Sequence, residues 1–288
     1  MRFIKKIGAI ATIIFVLGIL CSLTAYLMRG RILNYKIPVE KHIVFVGNSQ
    51  FEMGINDSTL VGAKNVAKSA KQYLFMRIDI ENLLSKNPQI DTIFLVVSPF
   101  SLRESDADRS YEDNSYIESV TYYAPYMSID DLKELPISLP FIKDMYLGGC
   151  LKYLVNPQEC GGYIFNTRDD MKADKIKFKR EELSGPVNIQ NGNDITLHQL
   201  SMIGKICKDA NVKLIYLSTP NWDAHNKYDI SLFRKSVAQL QKNNNADYWD
   251  YVDYPLADSC YADMTHLNWK GAREFTKILK SKLQTNIR

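Results

Sequence analysis

Short runs of apolar residues recur along the chain and are separated by longer segments. The clearest runs are residues 43–46 and 92–97, and a further run lies at 212–217. Consecutive apolar residues without polar alternation are typical of strands covered on both faces, as in parallel sheets. Weaker strands are predicted at 64–67 and 247–252. The pattern therefore predicts five strands.

The segments between these runs have helical character. Apolar residues recur at three- to four-residue spacing in four segments, residues 73–84, 194–210, 230–241 and 269–283. Strands that alternate with helices of this length predict a parallel sheet with helices on both faces. We therefore predict an α/β fold with three layers, a flavodoxin-like five-stranded parallel sheet between helices.

Residues 103–185 interrupt the alternation. This stretch is acidic and tyrosine-rich at first, then contains several prolines and two pairs of adjacent glycines. We interpret it as an insertion, with short helices near 129–135 and 141–147. Such insertions commonly shape ligand sites, but a structural flap or a surface for a partner protein fits the sequence equally well.

The N-terminus is predicted to cross a membrane. Residues 7–28 contain no charged residue, and a helix of that length spans a bilayer core of about 30 Å. A secretory signal peptide has a shorter apolar region, of about 7–15 residues, and a small-residue cleavage site that is not evident here. We therefore favour an uncleaved anchor over residues 1–31, followed by one domain over 32–288.

Basic residues flank this span on both sides, so the positive-inside rule does not decide the orientation. When a short N-terminus precedes a single span and a large domain, the N-terminus usually stays in the cytoplasm and the domain is exported.

The chain has 36 basic residues, of which four lie in residues 1–30. The remaining 32 basic residues equal the 32 acidic residues in number. This neutral domain argues against nucleic acid as a partner, because such domains need a basic excess.

The five cysteines show no metal-binding spacing. Cys150 and Cys160 each lie beside two glycines and could form a disulfide in an oxidising compartment, or remain two separate thiols. Cys260 lies close to Asp263 but has no recognisable base, so we interpret it as a packing residue. We expect no metal site.

Two short blocks carry the chemistry. Ser49 follows the strand at 43–46 through Gly47 and Asn48, and ligands of open α/β sheets bind at the carboxyl ends of strands. The alternative is that Asn48 or Ser49 only caps a helix. Asp263 and His266, three residues apart, can share one turn, where a carboxylate orients an imidazole that serves as base for a serine.

These blocks, in this order, resemble the SGNH (GDSL-like) hydrolase superfamily over roughly residues 40–285. The resemblance implies that Ser49 is the nucleophile, His266 the base and Asp263 the orienting acid. The plainer alternatives are a polar turn residue at His266 and a helix cap or Asx-turn at Asp263.

The same resemblance implies an oxyanion hole built from the Ser49 backbone N–H, a glycine and an asparagine. The chain has Ala70 at the glycine position, which still supplies a backbone N–H. The segment after the strand at 92–97 contains no asparagine. Either another side chain substitutes for that donor, with Ser98, Ser101 and Gln50 as candidates, or the enzyme is slow, or the domain has lost catalysis.

The anchored architecture resembles SGNH-like proteins of bacterial envelope glycan O-acylation. That implies an extracytoplasmic (periplasmic) esterase or O-acyltransferase in the cytoplasmic membrane, with an acyl-ester or glycan substrate and no cofactor. A multi-span membrane acyltransferase is the implied partner. The alternatives are a degenerate SGNH-like domain that binds glycan or a partner through residues 103–185, and an unrelated flavodoxin-like binding domain.

Overall fold

The structure, a computed structural model, describes residues 2–102, 119–121, 123–133, 158–168, 194–222, 224 and 229–286. Most of the predicted insertion lies outside these ranges. The helix expected near 141–147 and Cys150, the proposed partner of Cys160, are therefore outside the described residues.

Helices and strands alternate along the described chain. The strands are β1 (Leu33–Asn34), β2 (Ile43–Val46), β3 (Ala63–Asn65), β4 (Thr92–Val96), β5 (Gln158–Glu159), β6 (Lys213–Leu217) and β7 (Asp247–Trp249). The helices are α1 (Arg2–Leu27), α2 (Arg29–Ile32), α3 (Ser49–Gly54), α4 (Tyr73–Lys86), α5 (Ile129–Lys133), α6 (Asp194–Asp209), α7 (Ile230–Asn244) and α8 (Trp269–Asn286).

Five of these strands form one parallel sheet in the order β3-β2-β4-β6-β7. Ile43 of β2 lies beside Ala63 on one side and Thr92 on the other. All four residues of β2 are buried, as expected for a strand covered on both faces. The order in which strands are added reverses at β2: β3 lies on one side of it, and β4 and the later strands lie on the other. Open α/β sheets form their ligand crevices at such a switch point, here between β2 and β4. The predicted α/β fold is confirmed.

Aromatic packing under the sheet fixes the exit from β2. Phe45 stacks on Phe94, with ring centroids 4.7 Å apart, and meets Phe51 of α3 edge to face. A Cβ atom on Gly47 would lie 2.8 Å from the Phe51 ring. Only glycine therefore fits where the chain turns from β2 into α3.

The chain divides into two compact units. One comprises residues 36–110 and 160–288 and contains the parallel sheet. It also contains residues 160–168, which fall inside the insertion predicted at 103–185. The other unit comprises residues 1–35 and 111–159.

Within the second unit, the chain leaving α1 is held by hydrogen bonds. β1 pairs with β5 in parallel, and the Tyr126 hydroxyl donates to the backbone oxygen of Arg29. The Tyr126 ring also packs edge to face on Tyr35. These contacts anchor the segment that follows α1 within this unit.

Helix α1 is apolar and long enough to cross a membrane. Within Phe3–Leu27, an 18-residue window has a mean hydropathy of 2.4, and most of the apolar side chains of this helix, such as Phe15 and Leu27, are exposed. A signal sequence at the N-terminus has the same character, so the helix is either an anchor or a signal sequence.

Candidate active site

Ser49 is the first residue of α3 and is presented by a capped turn. The Asn48 side chain accepts the backbone N–H of Gln50 at 3.1 Å, which satisfies one of the unpaired donors at the start of the helix. Because Asn48 takes the capping role, the Ser49 hydroxyl is left to contact His266. The helix cap that the sequence offered at Asn48 or Ser49 is therefore made by Asn48.

The two blocks identified in the sequence meet in space. The Ser49 hydroxyl lies 2.8 Å from Nε2 of His266, a contact between residues 217 positions apart. This confirms the predicted approach of the two side chains. Both residues are half-buried.

Asp263 orients the imidazole. Both of its carboxylate oxygens lie 2.9 Å from Nδ1 of His266. A carboxylate can only accept, so Nδ1 carries the proton and Nε2 is left as the acceptor for the Ser49 hydroxyl. This is the tautomer that a base for a serine hydroxyl requires.

The Asp263 carboxylate also closes the turn. Its Oδ1 accepts the backbone N–H groups of Thr265 and His266, each at 2.8 Å. Burial alone would raise the pKa of Asp263, but the hydrogen bonds from His266 and these backbone groups outweigh it and hold the pKa well below its usual range. The carboxylate is therefore ionised at neutral pH.

Asn268 anchors this turn to the last helix. Its Oδ1 accepts the N–H groups of Lys270 and Gly271, and its Nδ2 donates to the backbone oxygens of Ser259 and Tyr261. Asn268 is therefore the N-cap of α8. The side chain also bonds to the segment that precedes His266, so both sides of the turn are fixed.

Cys260 lies in this region as a buried side chain. Burial raises the pKa of its thiol, which disfavours the reactive thiolate. The sequence interpretation of Cys260 as a packing residue agrees with this environment.

The segment that ends at Ala70 is bonded to β2 and α3. Lys68 donates its backbone N–H to Gly47 at 3.1 Å, and Ser69 donates its own to the Glu52 carboxylate at 2.9 Å. Ala70 has a φ of +57°, in the left-handed region that favours glycine. The residue at the expected glycine position thus adopts a conformation typical of glycine.

The backbone N–H groups of Ser49 and Ala70 are candidates for an oxyanion hole. Neither donates to an acceptor among the residues that the structure describes. Unpaired donors near a nucleophile are what stabilisation of a tetrahedral intermediate requires. The two groups remain the donors that we propose.

Ser98 does not suit the role suggested for it. Its side chain is fully buried, and its hydroxyl lies 3.1 Å from Oγ of Ser101 while accepting the Ser101 backbone N–H. A hydroxyl closed into such a pair is not presented to a substrate. We therefore do not retain Ser98 as an oxyanion donor, and Ser101 is engaged in the same pair.

Gln50 is buried beside the nucleophile. Its Nε2 lies 3.4 Å from Oδ1 of Asn221, and its Oε1 has no hydrogen-bond partner in the described part of the chain. The amide therefore points into the protein towards Asn221. Asn221 follows β6 and was not identified from sequence.

A feature that sequence analysis missed is the segment 160–168, which we call the strap. The backbone N–H of Gly162 donates to the backbone oxygen of Ala67 (3.0 Å), and the backbone N–H of Ile164 donates to the backbone oxygen of Glu52 (2.8 Å). The strap thus crosses the segment before Ala70 and the helix that carries Ser49.

The strap then reaches the His266 turn. Asn166 accepts the backbone N–H of Trp269 at 2.8 Å and donates to the Leu267 oxygen at 3.3 Å. The Arg168 guanidinium lies 3.9 Å from Oδ2 of Asp263. Asn166 and Arg168 are therefore site residues that the sequence did not reveal, because nothing in their spacing marks them.

The start of the strap requires glycine. Gly161 has a φ of +141°, and a Cβ atom there would lie 2.2 Å from the Ala67 oxygen. The adjacent glycines at 161 and 162 were the only sequence signal of this close approach. They were interpreted only as part of an irregular insertion.

Of the other histidines, His42 and His198 make no contact with Ser49 in the described part of the chain. His42 precedes β2, and His198 lies exposed on α6, while His225 is outside the described residues. No group of three or more His, Cys, Asp or Glu side chains able to hold a metal ion occurs in the described ranges.

No family model and no curated protein matches this chain. Among solved structures, it is similar to two catalytic mutants of Axe2, an acetylxylan esterase from Geobacillus stearothermophilus. Their identities are 11% and 10%, their TM-scores 0.42 and 0.41, and the alignments cover 86% of this chain and 96% of each mutant.

A third similar structure is a protein from Streptococcus pneumonia that is provisionally described as a platelet activating factor. It is 12% identical, with a TM-score of 0.37, over 97% of this chain and 99% of that chain. All three TM-scores are below 0.5, so these similarities carry no conclusion about activity. The function has to be argued from the site itself.

Proposed function

We propose that this chain is an SGNH-type serine enzyme that cleaves or transfers acyl esters. The observation that carries the proposal is the continuous hydrogen-bonded series from Ser49 through His266 to Asp263. A serine hydroxyl is a weak nucleophile at neutral pH and becomes effective beside an oriented base. The contacts of 2.8 and 2.9 Å supply that base.

In the proposed reaction, Oγ of Ser49 attacks the ester carbonyl while Nε2 of His266 takes the hydroxyl proton. The carbonyl oxygen becomes an oxyanion that receives hydrogen bonds from the backbone N–H groups of Ser49 and Ala70. His266 then gives the proton to the leaving alcohol, and the acyl group remains as an ester on Ser49. Asp263 stays ionised and stabilises the imidazolium.

In the second half, water or a sugar hydroxyl attacks the acyl-enzyme, and His266 accepts its proton. The bond between the acyl group and Oγ of Ser49 then breaks, and His266 returns the proton to the serine oxygen. Water gives hydrolysis, and a sugar hydroxyl gives transfer. The resemblance to envelope glycan O-acylation proteins leads us to propose a glycan or acylated glycan as substrate, beside a multi-span membrane acyltransferase. Helix α1 supports a membrane-anchored enzyme, with the proposed domain on the outer side of the bacterial cytoplasmic membrane.

The test uses the full chain in detergent. A fluorophosphonate probe should label wild type but not Ser49→Ala, and p-nitrophenyl acetate hydrolysis should fall to background in the variant. Ser85→Ala, an exposed serine at the end of α4, is the matched control and should retain both signals. Thermal stability should change little in Ser49→Ala, because substitutions away from buried networks usually stay within about 0.5 kcal/mol.

A transfer assay with an oligosaccharide acceptor separates the two outcomes of the acyl-enzyme. Acylated sugar that forms with wild type and not with Ser49→Ala would establish transfer. If wild type shows no labelling, hydrolysis or transfer above Ser49→Ala, and both restore a deletion strain, the proposed enzyme is wrong. The chain would then act as a binding component.

A further inference from the structure

A buried ion pair lies next to the proposed oxyanion donor. Nζ of Lys71 is 2.6 Å from Oδ2 of Asp79, and the two side chains are 1% and 0% exposed. The same ammonium donates to the backbone oxygens of Val66 (2.9 Å) and Cys160 (2.8 Å). Its three N–H groups are therefore matched by three acceptors.

Such a pair needs an explanation other than stability. Removing two charges from water is costly, and well-packed apolar residues often stabilise a protein equally well or better. The two backbone oxygens held by Lys71 suggest what the charge does. Val66 begins the segment that ends at Ala70, and Cys160 is the first residue of the strap.

The segment from Val66 to Ala70 is not held in place by its own conformational preference. Ala70 adopts the left-handed conformation, which is unfavourable for residues with a Cβ atom and persists only where the surroundings impose it. Lys71 follows Ala70 directly and is fixed to Asp79 on α4. The ammonium thus connects a rigid helix to both the Ala70 segment and the strap.

We propose that Lys71 and Asp79 form a positioning pair that holds the Ala70 backbone N–H towards the developing oxyanion and seats the strap on the Ala70 segment. The proposal rests on the proposed function. Neither side chain touches the reacting atoms, so both act through Ala70 and the strap. The pair strengthens binding of the transition state and leaves binding of the ground-state ester nearly unchanged.

The test is the double variant Lys71→Met/Asp79→Leu in the full chain. It removes both charges together, which avoids leaving a single buried charge. We expect kcat for p-nitrophenyl acetate to fall about 10- to 100-fold, with KM changed less than about threefold, because a displaced oxyanion donor affects turnover. The rate of fluorophosphonate labelling of Ser49 should fall to a similar degree.

The matched control is Arg77→Met/Gln199→Leu. Arg77 lies on the same helix as Asp79, is buried, and its Nε donates to Gln199 of α6 at 2.7 Å. This pair joins α4 to α6. The control should keep kcat and the labelling rate within about twofold of wild type, whatever its melting temperature.

An unchanged kcat and labelling rate in a folded Lys71/Asp79 double variant would overturn the proposal, as would an equal loss in the control. Hydrogen exchange of wild type adds a test that does not require the variant to fold. The N–H groups of Lys68 and Gly162, which bond to Gly47 and Ala67, should be protected as strongly as the amides of α4. Weak protection of these two N–H groups would overturn the proposed positioning pair. Absence of labelling in wild type would instead refute the proposed enzyme.

Discussion

At the scale of single residues, one carboxylate closes a turn and orients a base. Oδ1 of Asp263 accepts the backbone N–H of Thr265 and of His266, and the carboxylate also contacts the imidazole. An asparagine at this position could keep the contacts to the turn while losing the negative charge. Substitutions here therefore separate the shape of the turn from its electrostatics.

Ester hydrolysis by the His266→Ala variant should be as low as that of Ser49→Ala, because residues that act as a unit do not contribute additively. Asp263→Asn should retain more activity than either, since the turn keeps its acceptor. Initial rates of the three purified variants on p-nitrophenyl acetate check this order. An Asp263→Asn variant as inactive as His266→Ala would show that the charge itself is required.

The depressed pKa of Asp263 predicts a pH-dependent contribution to stability. A carboxyl group with a pKa near 3.9 in the unfolded chain and a lower value in the folded chain stabilises the folded state above about pH 4. That contribution is lost as the pH falls towards the folded value. The melting-temperature difference between wild type and Asp263→Asn should therefore shrink between pH 5 and pH 3, and parallel curves would contradict this.

Ala70→Gly should stabilise the protein by roughly 0.5–1 kcal/mol, because glycine relieves the left-handed strain at a smaller entropic cost. Activity should persist, since the backbone N–H is retained. Ala257, exposed with a φ of −61°, is the matched control, and Ala257→Gly should be neutral or slightly destabilising. Urea unfolding of both variants checks the difference, and a destabilised Ala70→Gly would contradict the strain argument.

At the scale of elements, the two N-caps of α7 and α8 differ in what else they hold. Asp229 caps α7 through the N–H of Leu232 and is exposed. Asn268 caps α8 and also satisfies two backbone oxygens of the His266 region. A comparison of substitutions at the two caps therefore isolates the effect of the hydrogen bonds between Asn268 and the His266 region on stability and activity.

Asn268→Ala should cost about 1 kcal/mol for the lost cap and a further 1–3 kcal/mol for the buried groups left unpaired. It should also lower kcat, because the turn that carries His266 loosens. Asp229→Ala should cost only the cap, about 1 kcal/mol, with kcat unchanged. Chemical denaturation and steady-state kinetics on both variants test this, and equal effects of the two substitutions on kcat would contradict it.

The elements of the sheet were predictable because each carries its own pattern. Continuous apolar runs gave the three central strands and helical spacing gave α4, α6, α7 and α8, with ends displaced by up to three residues. β7 is shorter than expected and ends at Trp249. The chain leaves the sheet there, although Tyr251 and Val252 beyond it are also buried.

The strap was not predictable, for a physical reason. It is held by backbone donors and acceptors that every residue possesses, so its contacts with Ala67 and Glu52 leave no trace in side-chain pattern. Ser49 and His266, the proposed nucleophile and base, could be selected from the sequence because that chemistry demands particular residue types. The bonding of the Ser98 hydroxyl to Ser101 could not be predicted, because sequence does not show whether a hydroxyl already has a neighbouring partner.

At the scale of the whole molecule, α1 predicts behaviour in the cell. If it is an uncleaved anchor, the protein should sediment with membranes, require detergent for release, and retain its N-terminal methionine or Arg2 by intact mass. Protease added to spheroplasts should digest the domain. A mass lacking the first 20–30 residues would show a cleaved signal sequence, and protection equal to that of a cytosolic marker would show the reverse orientation.

The 217 positions between Ser49 and His266 also set the order in which the protein becomes active. The strand and helix that present Ser49 are synthesised before His266, the proposed base. Loop closure over such a separation must follow formation of the local elements. A nascent chain that has not yet reached His266 therefore carries a serine without its proposed base. The proposed enzyme acquires its reactivity only when the turn that carries His266 has been synthesised and folded, so the shorter nascent chain is chemically silent.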